Sequence, residues 1–319
     1  MSSMKDEALD LLRSSIVINA SESAYPNTPG VMFSKDFLDM LSSIGVNAVA
    51  VTSAWLPEHN FRATLDRIIS TYSILGGGRI VYGETVEDIL EAKERDKLAV
   101  ILQFQNSLPI EHDVRLLEVW YKLGVRIVQL TYNPRNLVGD GCAEKTDCGL
   151  SEFGQKVVEE MNRIGMVIDL SHVGHKSTNE AIDLSKDPVI FSHSNAKALA
   201  DVNRNITDEQ IEAVAEKNGV IGIGTPSFIV KKEGEKTGTT IIDFVNHVDY
   251  MVKLVGADYV GIGTDYTEGR GPPGFCFKSI TDLVDVAAEL LERGYSDQDV
   301  RKVMGENWLR VFKRVWKKY

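Results

Sequence analysis

The sequence predicts an α/β fold, a (β/α)8 barrel of the TIM type that occupies one domain, residues 1–319, with helices at its C-terminus. Three observations carry this. Apolar runs rich in β-branched residues recur at Ser15–Ala20, Asn47–Ser53, Leu98–Gln105, Val125–Tyr132, Met166–His172, Pro188–Ser194, Gly219–Thr225 and Tyr259–Asp265. Runs that are apolar on both faces suit strands of a buried parallel sheet. Segments with helical spacing separate them, the alternation that builds a parallel barrel. Finally, Ala20-Ser-Glu-Ser-Ala24 after the first run lacks the glycines that a doubly wound dinucleotide-binding sheet needs there.

The elements follow in order. Met1–Ser15 is mixed-charge and helix-like, with no apolar core of a secretory leader. Ser177 with Glu180 and Thr207 with Gln210 fit capping boxes, and Gly219 is placed to close the second of these helices. Gly76-Gly-Gly78 reads as a helix stop. In the tail, Ile280, Leu283, Val284, Ala287, Leu290 and Leu291 form one apolar stripe. Val300, Val303, Trp308, Val311 and Phe312 continue it after a break expected at Gly305, and the stripe should cover the barrel's flank.

Composition narrows the function. A net charge of −11 disfavours nucleic acid, whose phosphates call for clustered Lys and Arg. The basic run Lys313 to Lys318 reads as the solvated end of a helix. No stretch is long and apolar enough to span a bilayer, so no membrane partner is expected. Three cysteines, an odd number in a chain of 319 residues, suit a reducing cytoplasm better than a disulfide framework. Cys142 and Cys148 could form a metal clip only with two further ligands, which the spacing does not supply. A homodimer is compatible with the pattern but not required by it.

The chemistry concentrates at the strand ends. His172 ends Met166-Val-Ile-Asp-Leu-Ser-His172, and His193 ends Pro188-Val-Ile-Phe-Ser-His193. In a closed barrel both would project at the C-terminal face, where catalytic groups collect. Two neutral imidazoles from neighbouring strands suit a divalent ion such as zinc; two buried histidines with no metal are the bland alternative. Asp265, closing Gly261-Ile-Gly-Thr-Asp265, is a carboxylate placed to take a proton, or else a helix N-cap. Tyr132 and Asn133 end the fourth run. Arg204, in Asp201-Val-Asn-Arg-Asn205, could grip a substrate carboxylate with two hydrogen bonds, or pair with Asp201 or Asp208.

These residues resemble a known family. Asp169-Leu-Ser-His172-Val, Ser192-His193-Ser-Asn195-Ala and Asn203-Arg204-Asn205-Ile-Thr-Asp-Glu-Gln210 are similar to the central signature of the membrane (renal) dipeptidases. Gly219-Val-Ile-Gly-Ile223, Gly261-Ile-Gly-Thr-Asp265 and Asn307-Trp-Leu-Arg-Val-Phe312 continue the likeness in order, from about Val125 to Phe312. That family belongs to the amidohydrolase-like metal-dependent barrels and cleaves dipeptides at a two-metal centre, often tolerating a D-residue on the C-terminal side. The resemblance implies His172 and His193 as ligands of one ion, Arg204 as the carboxylate anchor and Asp265 as the acid/base near the other ion.

The first half departs from the family pattern. The first-strand His-x-Asp pair appears as Ala20 and Glu22, the bridging Glu as Gln105, and a polarising His as Tyr132. A neutral amide offsets the repulsion of two divalent ions far less than a carboxylate does. One metal at most is therefore expected, zinc first among the candidates or none at all. His172 and His193 would hold it, helped by Gln105, Asp265 or water, with Glu22 a further ligand or base. The implied activity is hydrolysis of a dipeptide or similar small carboxylate-bearing amide, Arg204 and Asn133 holding substrate and Tyr132 donating to the developing oxyanion. The competing expectation is a barrel without catalysis that binds a small acidic metabolite or partner.

Overall fold

Among the described residues, ten strands form one sheet in which every pairing is parallel. They are β1 (Ile18–Ser23), β2 (Ala48–Ala54), β3 (Ile80–Tyr82), β4 (Leu98–Phe104), β5 (Val125–Gln129), β6 (Val167–Asp169), β7 (Ile190–Phe191), β8 (Val220–Ile223), β9 (Val260–Ile262) and β10 (Tyr266–Thr267). The computed structural model describes residues 3–23, 33–56, 58–74, 78–231, 238–267, 271 and 274–317. The order is β10-β1-β2-β4-β5-β6-β7-β8-β9, with β3 beside the start of β4. Because β9 pairs with β8 and the adjoining β10 pairs with β1, the sheet curls back on itself, as a (β/α)8 barrel requires. All eight expected strands are present; the first two match their apolar runs in length with a shift of one to three residues, and the other six are shorter. The short β3 and β10 fall outside those runs; three and two residues are too few to leave a periodic signal.

The continuous apolar runs have a simple cause: each strand serves two cores. Ile18, Ala20, Ala48, Ala50, Ala99, Ile101, Ile127, Val167, Ile190 and Val220 fill the barrel interior together with Trp308. Their neighbours Val49, Val100, Leu102, Val128, Ile168, Phe191 and Ile221 face the helical layer. Alternate residues of a strand point to opposite faces, so both sets must be apolar. Further along β2 and β4 to β7 the interior turns polar, through Thr52, Gln103, Gln129, Asp169 and Ser192, all buried. This change of lining marks the functional end.

The apolar residues of 280–303 join the outer cluster on the flank as expected, and the tail departs from that placement beyond them. The helix Asn307–Val315 continues a π-helical turn, Lys302–Glu306, with no break at Gly305. A side chain at Gly305 would lie 2.2 Å from the Ile16 carbonyl oxygen, so this glycine permits close approach, not interruption. Trp308, Val311, Phe312 and Val315 pack into the inner cluster, closing the barrel's N-terminal end instead of its flank. Gly222 and Gly261 make room for the Trp308 indole, which an added Cβ would meet at 3.0 and 2.6 Å.

The capping expectations divide. Thr207 and Gln210 form the reciprocal box that starts Asp208–Glu216. Gly219 does not supply the left-handed turn after it; Asn218 does, with φ of 58°. Ser177 caps nothing: its helix starts at His175 after Gly174, and its hydroxyl donates to Asp147. Gly76 and Gly77 of the glycine run lie outside the described residues. Between β9 and β10, a Cβ on Gly263 would fall 1.6 Å from the Ser192 carbonyl oxygen. Gly263→Ala is therefore expected to destabilise the fold by about 3 kcal/mol, the upper range for overpacking, read as a lowered midpoint of urea denaturation. An unchanged midpoint would refute the close packing of this segment against the end of β7.

Candidate active site

The barrel topology brings the ends of β6 and β7 together, and the two histidines meet there. His172 and His193 face each other with their Nε2 atoms 3.0 Å apart and ring centroids 5.0 Å apart. His172 has φ of 64° and Asp265 φ of 50°. Non-glycine residues in this left-handed region cost on the order of 1–3 kcal/mol each and cluster where function fixes the backbone.

Hydrogen bonds aim both rings. His172 Nδ1 lies 2.6 Å from Asn133 Oδ1, which also accepts the Cys142 thiol at 3.3 Å. A carbonyl oxygen only accepts, so His172 carries its proton on Nδ1. His193 Nδ1 lies 2.7 Å from Ser192 Oγ, and that hydroxyl donates to Asp169 Oδ2 at 2.5 Å. With its own proton given to Asp169, Ser192 accepts the proton of His193 Nδ1. Both Nε2 lone pairs then point at each other across 3.0 Å. They repel unless a cation lies between them or one ring gives up its Nδ1 bond. Two metal–nitrogen bonds of ordinary length at a tetrahedral angle span about 3.3 Å, so the pair fits a divalent ion after a small adjustment. Burial, reinforced by the Arg204 charge, holds both imidazoles well below their ordinary pKa; for His172 the second ring adds to this. Both rings are therefore the neutral form that ligation needs.

Arg204 is buried and turned into the site. Its Nη1 donates to Ser194 Oγ and its Nη2 to the His193 carbonyl, both at 2.7 Å. The alternative partners are engaged elsewhere: Asp201 pairs with Lys197 and Asp208 accepts from Tyr250. Burial lowers the Arg204 pKa, but guanidinium stays charged, so a cation stands beside the imidazole pair. Tyr132 stacks on His172 at 4.3 Å and 25°. Burial first, and then the Asp265 charge, raise its pKa, so it remains a hydroxyl donor. Asn133 sits behind His172 as its hydrogen-bond acceptor.

The opposite corner is organised around Asp265. It precedes β10, not a helix, so the N-cap reading is set aside. Its backbone N–H donates to the Ser21 carbonyl, and its Oδ1 lies 3.4 Å from both Ser21 Oγ and Gln105 Nε2. Gln105 also donates to Ser21 Oγ at 3.2 Å. The amide thus turns N–H groups toward the carboxylate, where a second cation would need an acceptor. Glu22 is buried and accepts from Asn19 Nδ2 at 2.7 Å. Ala20 lies in the inner apolar cluster. The ring nitrogens that converge in the site are those of His172 and His193. Among the described residues, no group of three or more His, Cys, Asp or Glu side chains is placed to hold a metal. Cys142 lines the histidine corner without Cys148, and the described cysteines are free.

One residue of the site's support escaped the sequence reading. His247, in the helix Ile241–Val255, accepts from the Ala196 N–H at 3.2 Å and donates to the Val230 carbonyl at 2.9 Å. It ties the loop that carries Arg204 to the segment after β8. Nothing in a lone histidine inside an amphipathic helix signals that role. Burial lowers its pKa to about 4. The unfolded chain binds the proton near pH 6.5 and the folded one does not, so stability is present above 6.5 and falls as pH drops towards about 4. His247→Gln is expected to remove roughly 2–3 kcal/mol of that acid sensitivity, measured by denaturant titrations from pH 7 to 4. An unaltered pH slope would discount His247 as the cause.

A parallel barrel with paired histidines, a buried arginine and a carboxylate at its C-terminal mouth defines the class of metal-dependent hydrolase barrels. More narrowly, this chain belongs to the membrane dipeptidase family, peptidase family M19, which matches it over residues 32–318. It is similar to dipeptidase tcpJ of Claviceps purpurea, with 33% identity over 79% of this chain and 58% of that protein. It is similar also to an uncharacterized dipeptidase of Schizosaccharomyces pombe, 31% identical over 81% of this chain and 64% of that one. The chain thus spans about three fifths of the length of these relatives. A crystal structure of an amidohydrolase from Pseudomonas aeruginosa superposes with a TM-score of 0.88 and 32% identity, covering 98% of this chain and 99% of that one. The family match begins beyond β1, the strand that carries Ala20 and Glu22. No helix of the described residues is long and apolar enough to cross a membrane.

Proposed function

We propose that this protein hydrolyses the amide bond of a dipeptide, or a similar small amide with a free carboxylate, at a single divalent ion held by His172 and His193. The observation that carries this reading is the 3.0 Å approach of two Nε2 atoms whose partners both hold the proton at Nδ1. When bound, a zinc ion would activate water and polarise the scissile carbonyl. The rest is the work of the chain. Arg204 anchors the substrate carboxylate, which supplies a direct ion pair that its buried guanidinium does not have among the described residues. Asp265 takes the proton of the attacking water and returns it to the leaving amine. Tyr132, held protonated, donates to the oxygen on which charge develops. Asn133 acts through His172, and Gln105 with Ser21 holds Asp265 in place of a second ion.

The test is elemental analysis of untagged protein, followed by a dipeptide screen with the metal it contains. About one divalent ion per chain, with turnover of dipeptides bearing a free C-terminus, is expected. Protein that neither carries nor takes up a divalent ion would defeat the proposal. One observation favours a second reading: the Gln105 amide fills the corner beside Asp265 with donors. A barrel that only binds a small acidic metabolite would show ligand-dependent thermal stabilisation without turnover of any dipeptide or N-acyl amino acid.

A further inference from the structure

Beneath the two rings lies a polar group that the proposed chemistry does not use. Asp169 and Ser192 are fully buried. Asp169 Oδ1 accepts the backbone N–H groups of Ser171 and Ser192, each at 2.9 Å. Asp169 Oδ2 accepts the Ser192 hydroxyl at 2.5 Å. Ser192 Oγ in turn lies 2.7 Å from His193 Nδ1 and 3.3 Å from Ser171 Oγ. Ser171 Oγ accepts the His193 backbone N–H at 3.0 Å. A serine hydroxyl has one proton and two lone pairs, and here each has a place: the proton on Asp169, the lone pairs facing Ser171 and His193.

We infer that Asp169 and Ser192 are positioning residues, a buried carboxylate–hydroxyl relay that fixes His193 as the tautomer with its Nε2 lone pair aimed at the ion. The inference rests on the reading of His172 and His193 as ligands. Its direction is set by the two backbone donors at Asp169 Oδ1. They tie the hydroxyl's proton to Oδ2, and the hydroxyl can then only accept from the ring. A relay of this kind orients a ligand and raises its basicity, as direct carboxylate partners of metal-bound histidines do.

The geometry makes Asp169→Asn a sharp test. The same backbone N–H groups oblige the amide to place its oxygen where Oδ1 now lies, so its NH2 faces Ser192. The hydroxyl, no longer held by Oδ2, then turns to the shorter of its two remaining contacts, 2.7 Å to His193 Nδ1 against 3.3 Å to Ser171 Oγ, and donates to the ring, leaving the ring's proton on Nε2, where the ion should bind. Zinc alone is titrated into full-length wild type, Asp169→Asn, Ser192→Ala and the double variant, in competition with a chromophoric chelator. Circular dichroism and thermal denaturation verify folding. Asp169→Asn is expected to weaken zinc about 100-fold, and Ser192→Ala, which only removes the acceptor, about 10-fold. The double variant should bind like Ser192→Ala, because the reversed hydroxyl is gone. A residue that merely supports the fold would give losses that add. Wild type that takes up no zinc defeats the ligand reading and this inference with it. Wild type that binds zinc while Asp169→Asn binds equally, or a double variant weaker than Asp169→Asn, overturns the relay alone. Should Asp169→Asn fail to fold, Ser192→Ala with undiminished affinity would overturn it as well.

Discussion

Replacing His172 with alanine should remove both the bound ion and the hydrolytic activity, with turnover falling by more than the 10–100-fold typical of losing a ligand's outer partner. The site has two imidazoles and no third described ligand, so either loss leaves one protein contact to the ion. Stability offers a second measurement. A ligand that binds only the folded chain stabilises it by about 2.7 kcal/mol at a hundred times its dissociation constant. Wild type is therefore expected to melt several degrees higher with zinc than with a chelator, and His172→Ala to show no such difference. The metal-free variant should itself remain folded: the change removes one of two opposed lone pairs and leaves Asn133 Oδ1 with the Cys142 thiol. Undiminished turnover, or a zinc-dependent shift that survives the substitution, would refute the role given to the pair.

Why the histidines were legible while their surroundings were not follows from the range of each interaction. A barrel strand announces itself locally, through a run that is apolar on both faces, and its last residue marks the functional mouth. His172, His193 and Asp265 were found that way. The left-handed φ at His172 and Asp265 was not, since it follows from how strand ends meet and no local pattern encodes it. Ser192 was visible as a strand end but not as a relay. That role exists only because β6 and β7 are neighbours with Asp169 opposite Ile190. Gln105 and Ser21, more than eighty positions apart, meet Asp265 only once the sheet has closed. The glycines misled in a consistent way. Gly219 and Gly305 looked like stops, yet at each an added Cβ would strike a carbonyl oxygen of another strand or segment. Local propensity explains caps and turns; close packing between distant segments is written nowhere near the residue that permits it.

For Arg204→Ala the expected loss falls on substrate binding. Its guanidinium is buried, holds only Ser194 Oγ and the His193 carbonyl within the described residues, and faces the imidazole pair. A buried cation so placed gains most when an anionic ligand arrives, and truncating one side of such a pair costs about 2–5 kcal/mol. In kcat/KM that is a loss of roughly 30-fold to several thousand-fold for substrates with a free carboxylate. Amide-capped analogues, which lack the charge, should lose little, so the preference for the free acid collapses. Arg204→Lys should recover only part of it, because an ammonium cannot hold Ser194, the His193 carbonyl and a carboxylate in one plane. The same substitution should act on zinc with the opposite sign. Arg204 is a fixed positive charge beside the ion, and its removal eases a repulsion that a buried site screens poorly. Tighter zinc and weaker substrate in one variant would separate the anchor from the ligands; parallel losses in both would mean that Arg204 holds the site together and does not read the substrate.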